Sequence, residues 1–109
     1  DRIQTVLAYA RQNLQRSLTT EDLAAVACLS TRQFTRAFRA ETGVSPAKAV
    51  EAMRVEAAKH MLEQSRLPIE EIAAAAGFAN RERMRRAFLR VQGEIPRAIR
   101  RAAGPLAVV

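Results

Sequence analysis

Arginine dominates the reactive inventory of this 109-residue chain: sixteen arginines but only two lysines, Lys48 and Lys59, carry its positive charge. A guanidinium is a planar fork of donors that pairs bidentately with phosphate or with guanine, whereas an ammonium is a hydrated point charge. The net charge is +7, and the stretch from Arg81 to Arg101 holds eight arginines against Glu82 and Glu94 alone, a local balance of +6. Such a density repels itself, so it implies a structured polyanion that offsets it.

Other chemistries find less support. His60 is the single histidine, and no serine or cysteine nucleophile lies near a plausible base, so catalysis is not expected. A lone cysteine, Cys28, cannot form an internal disulfide, and without partner ligands no metal or other cofactor is implied. Cys28 is expected to pack as a small buried thiol. No uncharged run exceeds nine residues, too short to span a bilayer, and Asp1-Arg2-Ile3-Gln4 lacks the layout of a signal peptide. A cytoplasmic domain with no membrane partner is the expectation.

The elements that must hold these arginines are helical, because apolar residues recur at helical spacing throughout. Ile3, Val6, Leu7, Ala10 and Leu14 mark a first helix over residues 2–15. Thr19 to Asp22 resembles an N-cap with an acidic third residue, opening a short helix from Thr20 to about Ala27. Ser30 with Gln33 forms a capping box for a helix that Gly43 stops near Thr42, and Ser45-Pro46 opens a long helix to Gln64. A fifth helix covers Ile69 to Ala76, ended by Gly77. Asn80 caps a sixth, Arg81 to Gln92, before Gly93, and Pro96 opens a seventh through about Arg101. The tail, 104–109, has no period.

An internal repeat organises these helices. Leu23-Ala24-Ala25-Val26-Ala27-Cys28-Leu29 matches Ile72-Ala73-Ala74-Ala75-Ala76-Gly77-Phe78, and after one inserted residue Phe34, Arg36, Ala37, Phe38, Gly43 and Pro46 match Met84, Arg86, Ala87, Phe88, Gly93 and Pro96. Each copy is a short helix, a tight turn and a second helix, the layout of a helix-turn-helix. The expected organisation is all-α: a first unit over 1–45, a linker helix over 46–65, a second unit over 66–103 and the tail.

Helical geometry then sorts the faces. With Phe34 turned inward, Arg32, Arg36 and Arg39 point outward beside Thr35; with Met84 inward, Glu82 and Arg86 point outward, flanked by Arg81, Arg85, Arg83 and Arg90. Both second helices, 31–42 and 81–92, thus present arginine where a recognition helix meets a major groove. Leu89 also faces out, either to a thymine methyl or simply to solvent. The linker helix is about 28 Å long, close to the ~34 Å between successive major-groove faces on one side of the duplex. Val50, Met53, Ala57, Ala58, Met61 and Leu62 cover a wide apolar arc, as expected if both units pack on this helix, and Arg54 inside that arc needs an ion pair or carbonyl contacts.

These residues resemble the C-terminal DNA-binding domain of AraC/XylS-type transcriptional regulators from Ile3 to about Arg101. The resemblance rests on Leu23-Ala24 through Ser30, Phe34-x-Arg36-x-Phe38, Glu41-Thr42-Gly43-Val44-Ser45-Pro46, Arg54-x-x-x-Ala58, Ile72-Ala73 with Gly77-Phe78, Arg86-Ala87-Phe88 and Pro96. It implies seven helices, with the third and sixth in consecutive major grooves of double-stranded DNA. Its base-contacting positions fall on Arg32, Thr35, Arg36, Arg81, Glu82, Arg85 and Arg86. Phosphate contacts are expected from Thr31, Arg39, Arg83, Arg90 and Arg97.

The chain departs from the family pattern at Cys28, where glycine is common, at Met84, at Ile95, where Ser or Thr usually caps, and at Ile99, where Tyr is frequent. Such domains usually accompany a separate N-terminal sensor or dimerisation domain and act with RNA polymerase. Ser45 to Leu62 further resembles regulators whose N-terminal half has a PfpI-type, amidotransferase-like fold. The competing reading is a basic helical module that docks on a protein partner or an anionic surface; that use requires large exposed apolar residues, which the two cores consume here.

Overall fold

A computed structural model describes residues 1–106. Among them are seven helices and no strand: α1 (Arg2–Gln12), α2 (Thr20–Val26), α3 (Thr31–Thr42), α4 (Pro46–Gln64), α5 (Ile69–Ala75), α6 (Arg81–Gln92) and α7 (Pro96–Ala103). The expected all-α, seven-helix architecture therefore holds. The last three residues of the expected tail lie outside the described residues.

Local chemistry sets most of the boundaries. Thr19 closes a capping box with Asp22, and Ser30 closes one with Gln33, so the orphan amides at both helix starts are satisfied within the sequence itself. Asn80 caps α6 by accepting from the Arg83 amide at 2.8 Å, and the Lys48 amide donates to Ser45 Oγ at 3.2 Å. Gly43 and Gly93 end α3 and α6 at φ +81° and +74°. The first helix stops three residues earlier than expected. Asn13 donates its side-chain amide to the Tyr9 carbonyl at 2.8 Å, diverting an acceptor that a continuing helix would use.

The chain divides into two compact units, with the division inside α4 after Met53. In the first unit, Phe34 and Phe38 are fully buried with Ile3, Val6, Ala10, Leu18, Leu23, Ala24, Ala27 and Val50. Their rings lie 5.6 Å apart, tilted by 53°, a favourable aromatic arrangement. In the second unit Met84 and Phe88 take the corresponding places, among Ile72, Ala73, Ala76, Ala87, Ile99 and, from α4, Val55, Ala58 and Leu62. Val55, fully buried, was not in the expected arc of α4. At 100° per residue Val55 lies about 20° past the Leu62 edge of that arc, and α4 supplies Val50 to one core and Val55, Ala58 and Leu62 to the other, as a helix shared by both units requires.

Packing absorbs one departure from the family pattern, Ile99, and not another, the exposed Ile95. Ile99 is buried in the second core, and Ile95 starts α7 with no side-chain cap. Arg54 is half-buried, its pKa held below the ordinary arginine range by loss of solvent, and it is not left without a partner.

The tight turns that aim the second helix of each unit share one geometry. The Leu29 amide donates to the Ala24 carbonyl and the Cys28 amide to the Ala25 carbonyl, both at 3.0 Å; Phe78 to Ala73 at 2.8 Å and Gly77 to Ala74 at 3.1 Å repeat the pair. This is a Schellman ending, which needs a left-handed residue, and Gly77 (φ +92°) and Cys28 (φ +58°) fill that place. The expectation of a buried Cys28 thiol is therefore corrected: the side chain is exposed. A left-handed residue just past a helix end turns its β-carbon out of the turn, and cysteine's usual preference for the core has no say at that position.

Candidate nucleic-acid interface

The first candidate surface lies on α3. Burial of Phe34 and Phe38 fixes the rotation of this helix, so Arg32, Arg36 and Arg39 are exposed, as the helical period requires. Among the described residues no hydrogen bond or ion pair holds any of the three guanidinium groups. Thr31 is exposed at the first helical position. Thr35 is only partly exposed and donates its hydroxyl to the Thr31 carbonyl at 2.8 Å. To a base edge it therefore offers oxygen lone pairs and a methyl group.

The second surface, on α6, is arranged differently. Met84, Ala87 and Phe88 are buried, which leaves Arg81, Glu82, Arg83, Arg85, Arg86, Leu89 and Arg90 exposed. Here Arg81, Arg85 and Arg86 are tied to carboxylates. Glu82 accepts from Arg85 at two points, Nε to Oε2 at 3.0 Å and Nη2 to Oε1 at 2.9 Å, and from Arg86 Nε to Oε1 at 3.3 Å. Arg81 Nη1 reaches Glu70 Oε1 on α5 at 2.7 Å. The hydrogen bonds from Arg85, followed by its charge and by Arg86, push the Glu82 carboxyl down to about 2, and the same contact raises Arg85. Glu70 is lowered by its own backbone amide and by the charge of Arg81.

Arg97, at the start of α7, joins this set: Arg81, Glu82, Arg85 and Arg97 line one cleft of about 270 Å³ with Ile69, Ile95 and Pro96. Arg83 and Arg90 are not among its lining residues. Arg90 is itself engaged in an interaction.

Two residues that matter here escaped sequence reasoning. Glu70 left no signal, because its pairing with Arg81 joins two helices eleven residues apart. Arg100, counted with the arginines facing a polyanion, instead donates to the Leu62 and Ser65 carbonyls at 3.3 Å and so closes the end of α4. Among the described residues no group of three or more His, Cys, Asp or Glu side chains is placed to hold a metal, and no helix is long and apolar enough to cross a membrane.

Comparison with known proteins agrees with this fold. A helix-turn-helix domain family model matches residues 23–102. Over 81 residues the chain is 43% identical to the HTH-type transcriptional regulator Rv1931c of Mycobacterium tuberculosis, covering 74% of this chain and 31% of that protein. It is 32% identical over 99 residues to the regulator GlxA of Rhizobium meliloti, covering 91% and 31%. The chain thus spans about a third of the length of these relatives.

Among solved structures, the DNA-binding domain of the global transcriptional factor AdpA, in complex with a target DNA, superposes with a TM-score of 0.88 at 36% identity, covering 94% of this chain and 92% of that one. The C-terminal domain of AraT, a response regulator from Geobacillus stearothermophilus, gives 0.89 at 25% identity, covering 98% and 88%. The expectation of a regulator rather than an enzyme agrees with these relatives. With two helix-turn-helix units, arginine on the second helix of each, and a family match running through both, this chain belongs to the AraC/XylS-type family of helix-turn-helix transcriptional regulators.

Proposed function

We propose that this chain binds double-stranded DNA sequence-specifically in the service of transcription regulation, with α3 and α6 entering successive major grooves. The observation that carries this reading is the repeat of one surface: in both units a buried pair, Phe34 and Phe38 or Met84 and Phe88, turns arginines of the second helix out to solvent. The DNA complex of the AdpA domain, similar along nearly the whole chain, supports it. Arg32, Thr35 and Arg36 read base edges from α3, and Arg81, Glu82, Arg85 and Arg86 from α6. Thr31, Arg39, Arg83, Arg90 and Arg97 contact phosphates and set the register without reading sequence.

The relatives are about three times longer than the matched region. In keeping with that, the chain serves as the reading head of a cytoplasmic regulator whose other domain senses a ligand or dimerises and whose output passes to RNA polymerase. The domain boundaries follow the repeat, with 1–45 and 66–103 as the two reading units and 46–65 as the helix between them.

Mobility shifts with Arg36→Ala and Arg86→Ala test the assignment. Each truncation is expected to cost about 1–3 kcal/mol, concentrated at one base pair of the bound site. Equal weakening on specific and random duplexes would remove these residues from base reading.

A further inference from the structure

The two units differ in how their arginines are held. On α3 Arg32, Arg36 and Arg39 have no carboxylate partner among the described residues, and the single acid of that helix, Glu41, lies near its end. At the position equivalent to Arg32, α6 carries Glu82, which gathers Arg85 and Arg86. We propose that Glu82 is a specificity-determining positioning residue, which presents the outer donor forks of Arg85 and Arg86 to guanine and suppresses their sequence-blind attraction to phosphate. The inference rests on the DNA-binding reading above.

Donor accounting supports it. Glu82 engages Arg85 along its Nε and Nη2 edge and Arg86 at Nε. An arginine has five N–H donors. Arg85 therefore keeps both Nη1 protons and one Nη2 proton, and Arg86 keeps all four Nη protons, so each still has a terminal fork able to meet guanine O6 and N7. Three of roughly four acceptor positions on the carboxylate are occupied, which leaves one for a neighbouring base amine.

Charge acts in the same direction. Two guanidiniums and one carboxylate carry +1 rather than +2, and an anion placed among them repels phosphate. A phosphate accepts a donor in many orientations, whereas a guanine edge requires two donors aligned in its plane. A clamp that fixes orientation and halves the charge therefore sacrifices non-specific affinity more than specific affinity. Glu82 also lies near the positive end of the α6 dipole, where an acid steadies a helix; the test must move a quantity that helix stability does not.

The probes are a duplex selected by the wild-type chain from a random pool and a scrambled duplex of equal composition, each titrated at several salt concentrations. Glu82→Gln, which keeps shape and removes charge, is expected to tighten binding to the scrambled duplex several-fold and to steepen its log–log salt slope by about 0.9. The ratio of specific to scrambled affinity falls roughly ten-fold, with the loss confined to one or two base pairs. Glu82→Asp, which keeps the charge but shortens the reach, restores the salt slope and not the base discrimination.

A Gln variant with the wild-type ratio at every base pair overturns the proposal, and so does a ratio that falls evenly at all positions. If the wild-type chain binds both duplexes equally, the DNA-reading assignment itself fails and this inference falls with it. Retained wild-type discrimination with unchanged Gln behaviour removes only the role of Glu82.

Discussion

Replacing Cys28 by glycine is expected to stabilise the protein, although the change deletes a side chain. Cys28 holds φ +58° in a turn whose counterpart uses Gly77 at φ +92°, and the two turns make the same pair of backbone hydrogen bonds. A β-carbon in the left-handed region crowds the neighbouring carbonyl and costs about 1–2 kcal/mol. Against this, the greater freedom of glycine in the unfolded chain offsets roughly 0.5–1 kcal/mol. The exposed thiol contributes little packing to lose. At the centre of these ranges the net gain is about 0.75 kcal/mol, or a rise of roughly 2–6 °C in the thermal midpoint of a chain this size.

Thermal and urea unfolding of Cys28→Gly, Cys28→Ala and Gly77→Ala separates the contributions. Alanine at 28 keeps the β-carbon, so its midpoint should stay near that of the parent. Alanine at 77 introduces one where none exists and, by the same balance with its sign reversed, should cost about 0.75 kcal/mol. A lower midpoint for Cys28→Gly, or an equal gain from Cys28→Ala, would show that the backbone conformation is not the source of the effect.

Further outcomes follow from the same contacts. The Glu82 carboxyl, followed by carbon-detected NMR, should titrate at about 2 in the native chain and return toward the ordinary glutamate range in Arg85→Ala. A folded-state pKa below the unfolded value contributes stability that is complete above the unfolded value near 4.5 and is lost as pH falls toward about 2; acid unfolding of Glu82→Gln should therefore lack this part of the pH dependence. Phe38→Ala empties the centre of the first core and should cost about 3–5 kcal/mol in urea unfolding. A loss below 1 kcal/mol there would mean that the Phe34–Phe38 pair does not organise the unit.

Much of the fold was legible because its signals are local. Thr19, Ser30, Ser45 and Asn80 start helices through atoms within three residues, and Gly43 and Gly93 stop them through their own backbone. The repeat supplied the rest, since a turn that needs a left-handed residue in one copy needs it in the other. Cys28 was misjudged because residue type was allowed to outweigh that equivalence. Val55 was missed because it lies just past the Leu62 edge of the arc on α4, where the second core reaches further round the helix than the first.

At the candidate interface, outward-facing arginines were predictable from the period alone, but their partners were not all so. The Glu82 contacts to Arg85 and Arg86 lie at i+3 and i+4, a spacing that does favour such pairs on a helix. Glu70 with Arg81, and Arg100 with the end of α4, join separate helices and could emerge only from the folded chain.

Selection of bound sequences from random duplexes by the purified chain tests the central claim most directly. The account predicts enrichment of two short motifs about one helical turn apart, each lost when the arginines of one recognition helix are removed. A pool that stays random after repeated rounds, with binding that depends on salt but not on sequence, would contradict it.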